Sequence, residues 1–168
     1  GNTQTCTQTV TVADNEAPVV TAPTTVTVDC GTTPPGANSY TSFVNLGGTA
    51  NDNCTAGSNL IISYTDGPLN GNSCGATFIR TYTVTDESNN SKTATQTITV
   101  SPAALPTMTA PKAITVGCGG IPAPSTIAFS NNLSGGCLIS GTSNPSTFST
   151  TPGACGGTVT ETWTATDN

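Results

Sequence analysis

The chain has no histidine and only three basic side chains, Arg80, Lys92 and Lys112, in 168 residues. Without Lys/Arg clusters it lacks what nucleic acid binding by counterion release at phosphates needs, and anionic membrane surfaces are disfavoured for the same reason. The apolar runs are far shorter than the ~20 residues a spanning helix needs, so no membrane insertion is expected. Charged residues make up only 7% of the chain, with nine acids against three bases and a formal net charge of −6. Lacking histidine, the chain has no ordinary general base, and its carboxylates are scattered over strand ends and turns rather than set as an opposed pair. We therefore expect no enzyme. Zinc is disfavoured too, because no CxxC pair is matched by a second pair or by His.

Leu, Met, Lys and Glu are also scarce, while Thr, Ser, Asn, Gly, Pro and Val abound. β-branched residues favour strands, and no stretch sustains a 3.6-residue period. This predicts an all-β fold. Seven scattered cysteines in such a chain point to an oxidising, extracellular setting.

The chain repeats itself. APVVTAPTTVTVDC, ending at Cys30, matches LPTMTAPKAITVGC, ending at Cys118. CGATFIRTYTVTD, from Cys74, matches CGGTVTETWTATD, from Cys155, and ANDNC, ending at Cys54, corresponds to the Cys137 region. The closing segment TATQTITV (residues 93–100) is echoed by TCTQTVTV (residues 5–12). Three segments result: 1–13, the closing strand of a preceding repeat; 14–103, a complete repeat; and 104–168, a repeat lacking its closing strand. Within the complete repeat, strands are expected at about 19–29, 40–46, 60–65, 76–85 and 92–100. Tyr82 and its counterpart Trp163 are candidate core anchors.

VTVxC, then DNC, then a lone cysteine before RTYTVTD or ETWTATD, then TQTITV, resemble the hyalin-repeat-like family. The cysteine-bearing version is similar to repeats of very large cell-surface and gliding adhesins of Bacteroidetes. The resemblance implies tandem immunoglobulin-like β-sandwich repeats in an extended array, on a secreted or surface-anchored filament or stalk. Its partners would be adjacent similar repeats, with surface glycans or other cells as further candidates. Two alternatives remain: a self-assembling fibre subunit joined by donor-strand exchange through residues 1–12, and a glycan-binding adhesive module.

The implied sandwich puts the end of its first strand and the start of its penultimate strand at one end. That pairs Cys30 with Cys74 and Cys118 with Cys155, leaving Cys54 and Cys137 unassigned as buried thiols or as bridges to a neighbour. The rival pairing is Cys54–Cys74 with Cys137–Cys155. The family's usual turn cysteines place the partner of Cys6 outside the sequence.

The linker VADNEAP resembles the acidic linkers of cadherin-like domains. Asp14, Asn15, Glu16, Asp52 and Asp86 are the candidate ligands of a calcium ion at the first junction, since Ca²⁺ takes six or more oxygens. The same residue types also cap and bend backbone with no metal at all. The second linker, SPAALP, has no acid, and Asn131 and Asn132 stand near the position of Asp52. Asn53, Asn89 and Asn132 lie in N-x-S/T sequons, which arise readily by chance in such a composition.

Overall fold

A computed structural model describes residues 1–70, 74–117, 120, 123–148 and 156–166. The fold is built mostly of strands in small sheets, with one short α-helix and two single 3-10 turns (Gly57–Asn59 and Gly135–Cys137) among the described residues, in line with the all-β expectation. In chain order come β1 (Val19–Thr21), β2 (Val26–Val28), α1 (Tyr40–Asn45), β3 (Thr49–Asn51), β4 (Ile61–Asp66), β5 (Thr77–Thr85), β6 (Ser91–Val100), β7 (Thr107–Met108), β8 (Ile127–Ser130), β9 (Ser140–Ser143), β10 (Pro145–Phe148) and β11 (Glu161–Trp163).

Two compact units result, one of residues 1–27, 34–69 and 77–99, the other of 28–33, 70–76 and 100–168. In the first, β2-β6-β5-β4 form a four-stranded sheet and β1-β3 a two-stranded one. β5 and β6 pair over their full length, with Tyr82 opposite Ala94 and Phe78 opposite Ile98. Alternate residues point to opposite faces of a strand. Phe78, Arg80, Tyr82 and Val84 are thus buried, and Thr77, Thr81, Thr83 and Thr85 lie on the other face. The anticipated long strand from 19 to 29 is split into β1 and β2, which join different sheets. Pro23, between them, has no N–H to offer a ladder.

The segment 40–46, expected as a strand, is instead α1. The reason is local. Ser39 and Ser42 form a reciprocal capping box, which satisfies helix-start N–H groups that a strand would have paired elsewhere. Tyr40, Phe43 and Leu46, at helical spacing, then pack on the core formed by Ala37, Phe43, Ala50, Leu60, Ile62, Tyr82 and Val84. Tyr82 is fully buried, edge-on to Phe43 at 5.0 Å between ring centroids. Its hydroxyl donates to Gln96 Oε1 (3.3 Å), and Gln96 Nε2 donates to the Thr24 carbonyl (2.8 Å).

Arg80 is the unexpected member of this interior. It is 1% exposed, its Nε and Nη2 donate to the two Asp66 oxygens (2.6 and 2.9 Å), and its Nη1 and Nη2 donate to the Pro35 and Pro34 carbonyls (2.5 and 3.3 Å). The guanidinium also stacks 4.4 Å from the Tyr64 ring centre. A guanidinium paired with a carboxylate and bonded through all three nitrogens is tolerated where a lone charge would not be.

The second unit carries β7-β8-β9 and β10-β11. Trp163 is half-buried, and its indole N–H donates to the Ser125 carbonyl (2.8 Å). Residues 1–13 are exposed and belong to no strand. Asn89 and Asn132 adopt positive φ (71° and 59°), which gives those sequon positions a turn-forming role.

Candidate metal centre

Three turns bring carboxylates together. Asp14 opens the first, where its Oδ1 accepts the Glu16 N–H at 3.1 Å. Asp52 follows β3, and its Oδ1 accepts the N–H groups of Cys54 (3.0 Å) and Thr55 (2.7 Å). Asp86 ends β5. Its Oδ1 accepts the N–H groups of Ser88 (2.9 Å) and Asn90 (2.8 Å), and its Oδ2 accepts from Asn90 Nδ2 (2.8 Å). These are the local bonds by which Asp shapes a turn, and they explain why the sequence places Asp at each position. Cross-links then gather the loops: Glu87 N–H donates to Thr55 Oγ1 (3.3 Å), and Asn90 Nδ2 donates to the Asp14 carbonyl (3.4 Å).

One oxygen from each of Asp14, Asp52 and Asp86 lies within 4.8 Å of the others. Asp86 is 2% exposed, with two hydrogen bonds on Oδ1 and one on Oδ2, which leaves Oδ2 a lone pair. Asp14 Oδ2 and Asp52 Oδ2 are buried atoms with no hydrogen-bond partner. The one described ion pair, Arg80–Asp66, is formed by a different carboxylate. Like charges at this spacing repel by about 3 kcal/mol per pair at an effective dielectric of 20. Turn-making accounts for the Oδ1 atoms and leaves the two Oδ2 atoms unexplained. A hard cation would satisfy both and neutralise the repulsion, and an all-oxygen donor set suits Ca²⁺.

Of the five residues singled out from the sequence, three meet in this cluster. Glu16 stands at its edge, where its Oε2 accepts from Asn53 Nδ2, and Asn15 is exposed. An open depression lined by Glu16, Ala17, Val19, Asn51, Asp52 and Asn53 borders the site. Cys54 is exposed, and its thiol titrates above the ordinary cysteine range because desolvation and the Asp14, Asp52, Glu16 and Asp86 carboxylates oppose the thiolate.

The structure brings together Cys30 and Cys74, the pair that the resemblance implied, and adds Cys137, which the sequence left unassigned. Cys30 and Cys74 come together, with Cα atoms 5.1 Å apart, and Cys137 joins them, its Cα 6.2 Å from that of Cys30 and 6.0 Å from that of Cys74. All three belong to the second compact unit. Cys30 and Cys74 each precede a glycine at positive φ (Gly31, 82°; Gly75, 78°), and Cys137 follows Gly135-Gly136, which places each cysteine at a turn. Cys6 and Cys54 are free thiols, so the structure does not bring Cys54 to Cys74. Cys118 and Cys155 lie outside the described residues.

No family model, curated protein or solved structure matches the chain.

Proposed function

We propose that the chain is a non-catalytic, load-bearing segment of an extracellular, surface-attached stalk or filament. In this reading tandem immunoglobulin-like, hyalin-repeat-like units, residues 14–103 and 104–168, succeed one another along the polypeptide. A calcium ion on Asp14, Asp52 and Asp86 stiffens the first junction. The carrying observation is the convergence of a linker carboxylate with carboxylates from two loops of the following unit, two of whose buried oxygens lack a partner. An ion there ties linker to loops and removes a hinge. The internal repetition of the sequence, the all-β fold and the hydroxyl-rich outer face of β5 and β6 support the same reading.

Small-angle scattering of this chain and of a direct two-copy fusion tests it. Each added repeat lengthens the particle by roughly 35–45 Å, as expected from strands of ~10 residues at ~3.3 Å per residue plus linker. A maximum dimension that hardly grows on fusion contradicts the stalk. Chelation with EGTA broadens the distance distribution if calcium stiffens the junction.

One observation favours a second reading, donor-strand assembly. Residues 1–12 alternate apolar and polar residues yet are wholly exposed, Val10 at 73% and Val12 at 88%. Such a strand can add to an open sheet edge of another copy. The mass of native material under denaturing, reducing conditions decides between them. Hundreds of kilodaltons supports one long polypeptide, and a value near 16.7 kDa supports the subunit.

A further inference from the structure

Three cysteines meet where a disulfide needs two. The Cα separations of 5.1, 6.0 and 6.2 Å all fall within the span a disulfide bridges, so each of the three pairings is sterically open. Each sulfur can hold only one such bond, and the third remains a thiol. Every cysteine of the trio sits on a short, anchored turn. Cys30 occupies the turn closed by Thr32 N–H to the Asp29 carbonyl (3.0 Å). Cys74 is held by Gly75 N–H to the Ser101 carbonyl (3.2 Å), and Ser101 N–H in turn donates to the Val28 carbonyl (2.8 Å). Cys137 is fixed by Asn131, whose Nδ2 donates to the Cys137 carbonyl (2.8 Å) and whose Oδ1 accepts the Ile139 N–H (3.0 Å). Cys74 Sγ also lies 3.7 Å from the Gly136 carbonyl, where a free S–H can donate.

We propose that Cys30, Cys74 and Cys137 form a thiol–disulfide exchange site that moves one disulfide between a bond inside the first repeat and a bond joining it to the second. The description of the bond as crossing repeats rests on the repeat reading above, since Cys30 and Cys74 precede residue 104 and Cys137 follows it. Oxidised glutathione, or a protein disulfide of that class, forms the first bond. The exchange itself needs no further oxidant. The Cys137 thiolate attacks Cys30 Sγ, the Cys30–Cys137 bond forms and the Cys30–Cys74 bond breaks. The electron pair leaves on Cys74, which takes up the proton that Cys137 gave up. Attack on Cys74 Sγ gives the third isomer by the same balance. The sequence separations bridged are 44, 63 and 107 residues, and closure entropy depends on loop length only logarithmically, so it sets the three isomers close in stability. Such a site lets a strained junction change its cross-link without losing it.

Trypsin supplies the test. Cleavage after Arg80, Lys92 and Lys112 puts Cys30 and Cys74 on fragment 1–80 and Cys137 on fragment 113–168. The full chain is equilibrated with reduced and oxidised glutathione, quenched with acid, alkylated with N-ethylmaleimide, denatured and digested without reduction. We expect all three pairings by mass spectrometry from one wild-type sample, and because Cys30–Cys137 and Cys74–Cys137 link the same two fragments at the same mass, fragmentation of the linked peptides locates the alkylated cysteine in each. Cys74→Ser should convert the population to Cys30–Cys137, and Cys30→Ser to Cys74–Cys137. Cys137→Ser should collapse the trio to Cys30–Cys74 alone, with neither of those two alkylated. A wild-type map containing only Cys30–Cys74, with Cys137 fully alkylated, overturns the proposal whether or not the variants fold. So does protection of all three thiols that a chelator abolishes, which would mark a thiolate metal site. Neither result bears on whether repeats form a stalk, which the scattering measurement reads separately.

Discussion

Asp52 and Asn131 occupy the same step of two similar turns, one after β3 and one after β8. Thr107 opposite Ser130 corresponds to Val19 opposite Asn51, so Asn131 follows β8 as Asp52 follows β3. Each side chain accepts, through Oδ1, the N–H two residues on, that of Cys54 in one case and Leu133 in the other. Their second polar atoms part company. Asp52 Oδ2 is buried with no partner beside two other carboxylates, whereas Asn131 Nδ2 donates to the carbonyls of Ala104 (3.2 Å) and Cys137 (2.8 Å). The amide closes its turn on protein atoms alone. The carboxylate leaves a lone pair and a negative charge that only a proton, water or cation can answer. An exchange of one oxygen for an NH₂ group thus separates a self-sufficient turn from one with a place for an ion.

The largest expected effect tests the two units as a whole. Tyr82→Ala, which empties a fully buried site against Phe43, should cost about 3–5 kcal/mol. The half-buried Trp163→Ala should cost about 2 kcal/mol less, both read from urea midpoints. Arg80→Met should cost about 3 kcal/mol, because the Pro34 and Pro35 carbonyls lose their donors and Asp66 its partner. Asn131→Asp, which gives the second turn the chemistry of the first, should cost about 2 kcal/mol by removing both amide donations. Added calcium should not restore that loss, since SPAALP supplies no second carboxylate. If calcium restores it, the distinction between the two turns fails. The smallest effect is kinetic. Desolvation, and after it the carboxylates around Cys54, hold its thiol above the usual range, so an ion that neutralises the carboxylates removes their part and raises the thiolate fraction near pH 8. Calcium should therefore speed Cys54 alkylation several-fold, and an unchanged or slower rate counts against the site.

Much of this architecture was legible in the sequence because its signals are periodic or local. The alternation in TFIRTYTVT and SKTATQTITV fixes which residues of β5 and β6 turn inward, including Tyr82. The positions of Asp14, Asp52 and Asp86, each at the start of a turn, follow from Asp chemistry at loop entrances. Two features were hidden. The helix 40–45 depends on a reciprocal Ser39–Ser42 cap, and six residues are too few to show a period. Arg80 shares the inward parity of Tyr82, but the carboxylate that makes its burial tolerable, Asp66, comes opposite it only through strand pairing. The meeting of Cys137 with Cys30 and Cys74 spans sequence separations of 107 and 63 residues, and no local pattern encodes a contact at that range.

The decisive measurement is calorimetric titration of calcium into the chelator-treated chain, beside Asp52→Asn, the substitution that gives the first turn the side chain of the second. Binding of one ion per wild-type chain, and none to Asp52→Asn, is the predicted result. Equal binding by both chains, or no binding by the wild type, would contradict the calcium centre at Asp14, Asp52 and Asp86.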